Sequence, residues 1–137
     1  MKKLLLFCLT ILAFCGWSMP TGWQYPSLTI GFYSTTNQTL TSAQSGTILM
    51  LNGANNNTQV TLPSATPGLD FVVISNVAKY FAMIPQASDI IAFSSNTAGQ
   101  GVQNSSTGAV GDSIELVCVQ GGYWSVKQRT GTWAQGI

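Results

Sequence analysis

The sequence predicts an all-β protein: an antiparallel sandwich, a jelly roll or a small barrel of about eight or nine short strands. Three observations support this. Apolar residues come in short runs bounded by Gly, Pro and Asn, and no window after the N-terminal segment has a helical apolar period. Gly, Thr, Ser and Val, which disfavour helix, are abundant throughout. The 137 residues suffice for one domain.

Residues 1–18 are predicted to be a cleaved secretory signal peptide. Lys2 and Lys3 precede an apolar run from Leu4 to Cys15, shorter than the roughly 20 residues of a membrane-spanning helix. Small residues place cleavage after Ser18. The alternatives are a lipid-anchored Cys15 and a retained N-terminal anchor. After cleavage we expect no membrane contact, and a location outside the cell or on the surface of a bacterium.

The mature chain is nearly uncharged. Without Lys2 and Lys3, three cations face four anions, a net charge of −1. This leaves no basic surface for nucleic acid and no polybasic membrane patch. Surfaces rich in Ser, Thr, Asn and Gln are typical of extracellular fibres, coat proteins and sugar-facing modules. The charged residues are Lys79, Lys127, Arg129, Asp70, Asp89, Asp112 and Glu115.

Residues 19–36 are predicted to form an extended N-terminal arm and a first strand, and residues 37–137 the β-domain. Pro20 and Pro26 keep the arm out of helix. The first strand is Leu28–Tyr33, with a possible bulge at Gly31. Polar residues from Ser34 to Ser45 predict a loop or a solvated edge.

Five further strands follow, separated by glycine, asparagine and proline turns. The longest β-branched run, Leu69–Asn76, is predicted to be central. The polar stretch Ser94–Gly111 is too long for an ordinary loop, so we expect it to be functional or packed on a partner. No repeat period is strong enough to predict a solenoid. The other predicted strands are Thr47–Asn52, Thr58–Leu62, Lys79–Ile84 and Asp89–Phe93.

The clearest signal is a β-hairpin across Gly121-Gly122, within Ser113–Trp133. A plain two-residue turn would place charged residues over the core. A three-residue loop would pair Gln120 with Trp124 and shift the side-chain parity by one residue. We therefore predict an odd-length loop or a bulge. The resulting apolar face consists of Ile114, Leu116, Cys118, Trp124 and Val126.

The same register makes two further predictions. Glu115 is expected opposite Arg129 on the outer face. Val117 and Val119 are then exposed in a monomer, which indicates a partner. Cys118, the single cysteine of the mature chain, is expected to be a buried apolar residue, since it has no disulfide partner.

The sequence supplies little catalytic chemistry. It contains no histidine, which excludes histidine-assisted nucleophiles and histidine-containing zinc sites. Four carboxylates are few for a calcium site. We therefore predict no enzyme, no metal and no cofactor. A hydrolase that uses Asp70 and Asp89 is the distant alternative.

Aromatic residues near the termini are the better functional candidates. Trp23, Tyr25 and Trp133 lie where a monomer is expected to offer little to bury them. Each could anchor a subunit interface or stack on a sugar ring. We favour the subunit interface. Trp124 is expected to be part of the core.

From Leu40 onward the chain resembles a loose class of phage tail-fibre and virion-decoration β-domains. The resemblance rests on two segments, LTSAQSGTILMLNGANNNTQVTLPSATPGLDFVVIS and GAVGDSIELVCVQGGYWSVKQRTGTW. It implies a β-rich, homotrimeric, non-enzymatic structural or receptor-facing module. The secretory signal favours a bacterial protein displayed outside the cell over a virion component.

Two functions follow as hypotheses. The first is a secreted structural subunit that self-associates as a homotrimer, extracellular filament or surface layer, with the Met19–Tyr33 arm adding a strand to a neighbour's sheet. The second is a carbohydrate-binding or adhesive module on a cell or virion surface, with a surface glycan as its partner and the Ser94–Gly111 loop supplying polar contacts.

Overall fold

The computed structural model describes residues 29–53, 57–104 and 107–135, with only the backbone described for 29–33. The predicted signal peptide and most of the predicted arm, including Trp23 and Tyr25, lie outside the described residues.

The described chain is built from strands and one short 3-10 helix, Ser42–Gln44. The strands are β1 (Thr29–Ser34), β2 (Gln38–Thr39), β3 (Thr47–Leu51), β4 (Thr58–Thr61), β5 (Asp70–Ser75), β6 (Phe81–Ile84), β7 (Ile90–Ala92), β8 (Val102–Asn104), β9 (Ser113–Gln120), β10 (Tyr123–Thr130) and β11 (Trp133–Gln135).

The strands form two packed sheets. Sheet A has the order β1-β3-β5-β9-β10-β7, and sheet B has the order β11-β8-β6-β4-β2. The predicted all-β class is confirmed, and the sandwich is the alternative that describes it. The structure has more strands than predicted because β2, β8 and β11 are only two or three residues long, too short to leave an alternating pattern.

The sheets are mixed rather than antiparallel, which corrects the predicted strand orientation. In sheet A, β1, β3 and β5 are parallel neighbours, and in sheet B β2, β4 and β6 are too. Parallel neighbours need a long crossover, and here the strand of the opposite sheet provides it. The chain thus winds through three stacked turns.

This winding leaves no period in the sequence because its turns differ in length. Thr29 pairs with Thr47, and Thr47 pairs with Phe71, so the first step is 18 residues and the second is 24. The parallel part of each sheet ends after the third turn. Beyond it, β9 pairs antiparallel with β5 in sheet A, and β8 pairs antiparallel with β6 in sheet B.

One apolar core fills the space between the sheets. Trp124 is fully buried and its ring centroid lies 5.7 Å from that of Phe71. At the other end of the core, Trp133 packs edge-on against Phe81 at 5.2 Å. The largest fully buried side chains also include Leu62, Met83, Ile91, Ile114, Leu116, Val60, Val73 and Val102.

The β9–β10 hairpin combines a two-residue turn with two bulges. Gln120 pairs with Tyr123 across Gly121-Gly122, and then Cys118 pairs with Trp124, so Val119 is the extra residue. This bulge restores the parity that a plain two-residue turn would lose. A second bulge at Lys127 places Gln128, not the predicted Arg129, opposite Glu115.

The structure shows the outcome of two predictions about the first strand. The register of β1 against β3 shifts between Ile30 and Phe32, which places an irregularity at Gly31 as anticipated. The first strand is not a separate arm element, because β1 is an integral member of sheet A. Residues 29–34 therefore extend their own sheet rather than a neighbour's.

The polar stretch Ser94–Gly111 is only partly a loop. It contains β8, in which Val102 and Asn104 are fully buried. The Asn104 side chain accepts the Phe81 N–H at 2.7 Å and donates to Asp112 Oδ2 at 2.8 Å. That carboxylate oxygen also accepts the Ala109 N–H at 2.8 Å. A buried amide–carboxylate network thus holds this stretch to the sandwich.

Candidate interaction surface

Sheet A has an outer face that sheet B does not cover. Side chains alternate along a strand, so the neighbours of the core residues on β3, β5 and β9 point away from sheet B. These outward side chains are half-buried by one another. The outer face of sheet A is defined by Ile48, Met50, Asp70, Val72, Ile74, Ser113, Glu115 and Val117.

The outer face of sheet A is rich in large apolar side chains. In β3 and β5 the run of apolar residues continues on both faces of the strand, as is typical of strands covered on both sides. Among the described residues, sheet B covers one side only. The outward positions of sheet B are more polar, and include Thr39, Gln59, Thr61 and Gln103 beside Ala82 and Ile84.

A cluster of three charges lies within this apolar surface. The bulge at Lys127 directs its ammonium group to Glu115, with an Nζ–Oε1 distance of 2.6 Å. Asp70 Oδ2 lies 3.6 Å from the same nitrogen. The cluster carries a net charge of −1. Because Lys127 is exposed to solvent, we expect these ion pairs to add little to stability.

Asp70 is the member of the cluster whose charged form is poorly stabilised by its surroundings. Its Oδ1 is buried and has no hydrogen-bond partner among the described residues. Burial raises the pKa of Asp70, the neighbouring Glu115 carboxylate raises it further, and Lys127 opposes both. Hydrogen bonding to Glu115 and the charge of Asp70 raise the pKa of Lys127.

The raised pKa of Asp70 makes a prediction about stability. A folded-state pKa above the unfolded value means that the native state binds the proton first as the pH falls. The contribution of Asp70 to stability should therefore increase as the pH falls from 7 towards the pKa of an unfolded aspartate. In urea titrations at pH 7 and pH 4.5, the native chain should gain stability relative to Asp70→Asn on acidification. A relative loss would mean that the attraction to Lys127 dominates.

Two open hollows run along the outer side of β5. One has a volume of about 260 Å³ and lies between Ile48, Asp70 and Lys127. The other, about 200 Å³, lies between Ile74, Ser113 and Gln128. Both are lined by Val72 and Glu115, so they adjoin. Together they form a trough with an apolar floor and a charged wall, which we call the β5 trough.

The predicted interface residues fall into three groups. Val117 is half-buried on the outer face of sheet A, and Val119 is 67% exposed at the hairpin bulge. Trp133 belongs to the core instead: it is 8% exposed, and its Nε1 donates to the Thr130 carbonyl. The reasoning from its terminal position was wrong because β11 is paired into sheet B. Trp23 and Tyr25 lie outside the described residues.

The predicted core residues of the hairpin share one face. Ile114, Leu116, Cys118 and Trp124 are buried, and Val126 packs against them half-buried. Burial raises the pKa of the Cys118 thiol, and the thiol donates a hydrogen bond to the Gln120 carbonyl at 3.1 Å. A thiol held protonated in this way is unreactive.

Asp70 and Asp89, the pair considered for hydrolysis, lie in different surroundings. Asp70 lies on the outer face of sheet A, whereas Asp89 is buried and its Oδ2 accepts the Ala65 N–H at 2.7 Å. The proposed hydrolase pair is therefore divided between two environments. Within residues 29–53, 57–104 and 107–135, no group of three or more potential ligands could hold a metal ion.

Sequence reasoning missed the apolar floor of the β5 trough. Ile48, Val72 and Ile74 belong to strands that were predicted to be buried, and the prediction did not distinguish the two faces of each strand. The signal was present, because runs such as TILML and FVVI carry no alternation, a pattern typical of strands covered on both sides.

The sequence matches no protein-family model and no curated protein. In the described part of the chain, no helix is long and apolar enough to cross a membrane.

Proposed function

We propose that the chain is a secreted structural subunit, without catalytic activity, that associates with further copies of itself through the outer face of sheet A. The assembly would be a homotrimer or an extracellular filament. The observation that carries this proposal is the apolar character of β3 and β5 on both faces, with sheet B as the cover of only one. Export rests on the predicted signal peptide.

The chemistry of the outer face favours a protein partner over a sugar. Its apolar side chains are aliphatic, and no described side chain offers an aromatic ring for stacking beside the β5 trough. It carries charges of both signs within one patch, which is compatible with a surface that is complementary to a copy of itself. A glycan-binding role would depend on Trp23 and Tyr25.

The mass of the mature chain in solution tests this function. Sedimentation velocity of residues 19–137 over a concentration series should show a weight-average mass above the monomer that rises with concentration. A monomer at every concentration would refute the proposal. Binding to a glycan array by that monomer would instead support the carbohydrate-binding alternative.

A further inference from the structure

The shape of the β5 trough suits a narrow occupant. Its two hollows lie side by side along the outward positions Asp70, Val72 and Ile74 of β5, a distance of about 13 Å at 3.3 Å per residue. Two concave surfaces cannot fill each other, so face-to-face packing of two copies would leave both troughs empty. An extended chain segment of about four or five residues has the matching length.

The area of the outer face leads to the same conclusion. The six strands of sheet A, spaced by about 4.8 Å and each contributing about 16 Å of length, present a flat area of roughly 460 Å². A stable protein–protein contact needs about 800 Å² on each partner. Packing of the sheet faces alone therefore falls short, and a segment that wraps onto the partner would supply the difference.

The mature N-terminus provides a segment of suitable composition. Residues 19–28 contain no charged side chain, and Trp23 and Tyr25 would share one side of an extended chain. Pro20 and Pro26 disfavour helix there. Trp23, Gln24 and Tyr25 all carry hydrogen-bond donors, which suit a trough whose wall includes the carboxylates of Asp70 and Glu115.

The position of β1 brings the end of this segment to the end of sheet A at which the β5 trough begins. Thr29 pairs with Thr47 at the end of sheet A where Gly46 and Asp70 line the trough. Ten extended residues reach about 33 Å, enough to span a subunit contact and lie along the trough.

We infer that residues 19–28 of one copy lie in the β5 trough of a neighbouring copy, with Trp23 and Tyr25 on its apolar floor. The inference rests on the proposed self-association and names the segment that produces it. It differs from the strand addition expected from the sequence, because the segment covers a sheet face rather than pairing with a sheet edge.

Disulfide trapping between two singly substituted mature chains tests this exchange of N-terminal segments, in which residues 19–28 of one copy lie in the trough of another. One chain carries Gln24→Cys, and the other carries Gln128→Cys in the wall of the trough. Oxidised glutathione is added to the mixture. The buried Cys118 should stay unreacted. We expect the mixed disulfide to form at least 10-fold more than with Gln59→Cys, an exposed position on sheet B, as the matched control.

The outcomes separate this inference from the proposed function. If the chains self-associate but trap Gln128→Cys no better than Gln59→Cys, the exchange is refuted and the self-association stands. If the double variant Gln24→Cys/Gln128→Cys closes a disulfide within one chain, at high dilution and in preference to the mixed product, the segment binds its own trough and the exchange is refuted. If the chains are monomeric throughout, both proposals fail.

Discussion

Replacing Trp124 with alanine should lower the free energy of unfolding by about 3–5 kcal/mol, the range for removal of a large aromatic from a packed core. Trp124 is fully buried and packs against Phe71. The bulge at Val119 holds it on the inner face, opposite Cys118. Urea unfolding followed by circular dichroism measures the loss.

Tyr123→Ala is the matched control, because Tyr123 is the adjacent residue and is 42% exposed. Its effect should stay within about 0.5 kcal/mol. Trp124→Phe should cost less than Trp124→Ala, since phenylalanine keeps most of the volume and removes an indole N–H that has no partner among the described residues. Equal effects of Tyr123→Ala and Trp124→Ala would contradict the assigned register.

Asn104→Ala should destabilise the fold by about 2–4 kcal/mol, because its buried partners lose their hydrogen bonds. The Phe81 N–H loses its acceptor and the Asp112 carboxylate loses a donor. Each buried polar group left unsatisfied costs about 1–3 kcal/mol, and a charged group costs more. Thermal and urea unfolding of the purified variant provide the measurement.

The control for this network is Gln103→Ala, one residue away in β8. Gln103 faces outward and is only half-buried, so its removal should change the stability by less than about 1 kcal/mol. If Asn104→Ala were as mild as Gln103→Ala, the network would not be what holds the Ser94–Gly111 stretch in sheet B.

Local patterns predicted eight strands, which correspond to β1, β3, β4, β5, β6, β7, β9 and β10. The runs around Thr47–Leu51, Asp70–Ser75 and the hairpin have β-branched residues between clear turn signals, so each is recognisable alone. The parity of the apolar residues also predicted an odd-length loop or a bulge in the hairpin, and the structure has a bulge at Val119. These features depend on interactions within a few residues of each other.

The order of the strands could not be predicted in this way. Parallel neighbours such as β3 and β5 are joined through a strand of the other sheet, and nothing in either run records its partner. The short strands β8 and β11 hold their places through tertiary contacts, including the Asn104 network and the packing of Trp133 on Phe81. Such contacts leave no periodic pattern in the sequence.

The candidate surface was predicted only in outline. The exposure of Val119 follows from alternation, but the placement of Trp133 was wrong because position near a terminus does not determine burial. The cluster of Asp70, Glu115 and Lys127 depends on the second bulge, which no local pattern indicates. Continuous apolar runs in β3 and β5 did indicate that both faces of these strands are apolar.

The proposed contact between copies through the outer face of sheet A is tested by sedimentation of two matched variants, Ile74→Lys in the β5 trough and Gln59→Lys on sheet B. An unpaired charge at a buried contact costs about 3 kcal/mol, which is roughly a 100-fold weakening. Ile74→Lys should therefore be a folded monomer at concentrations where Gln59→Lys and the native chain associate. Unchanged association of Ile74→Lys, with a native circular dichroism spectrum, would contradict the proposed contact.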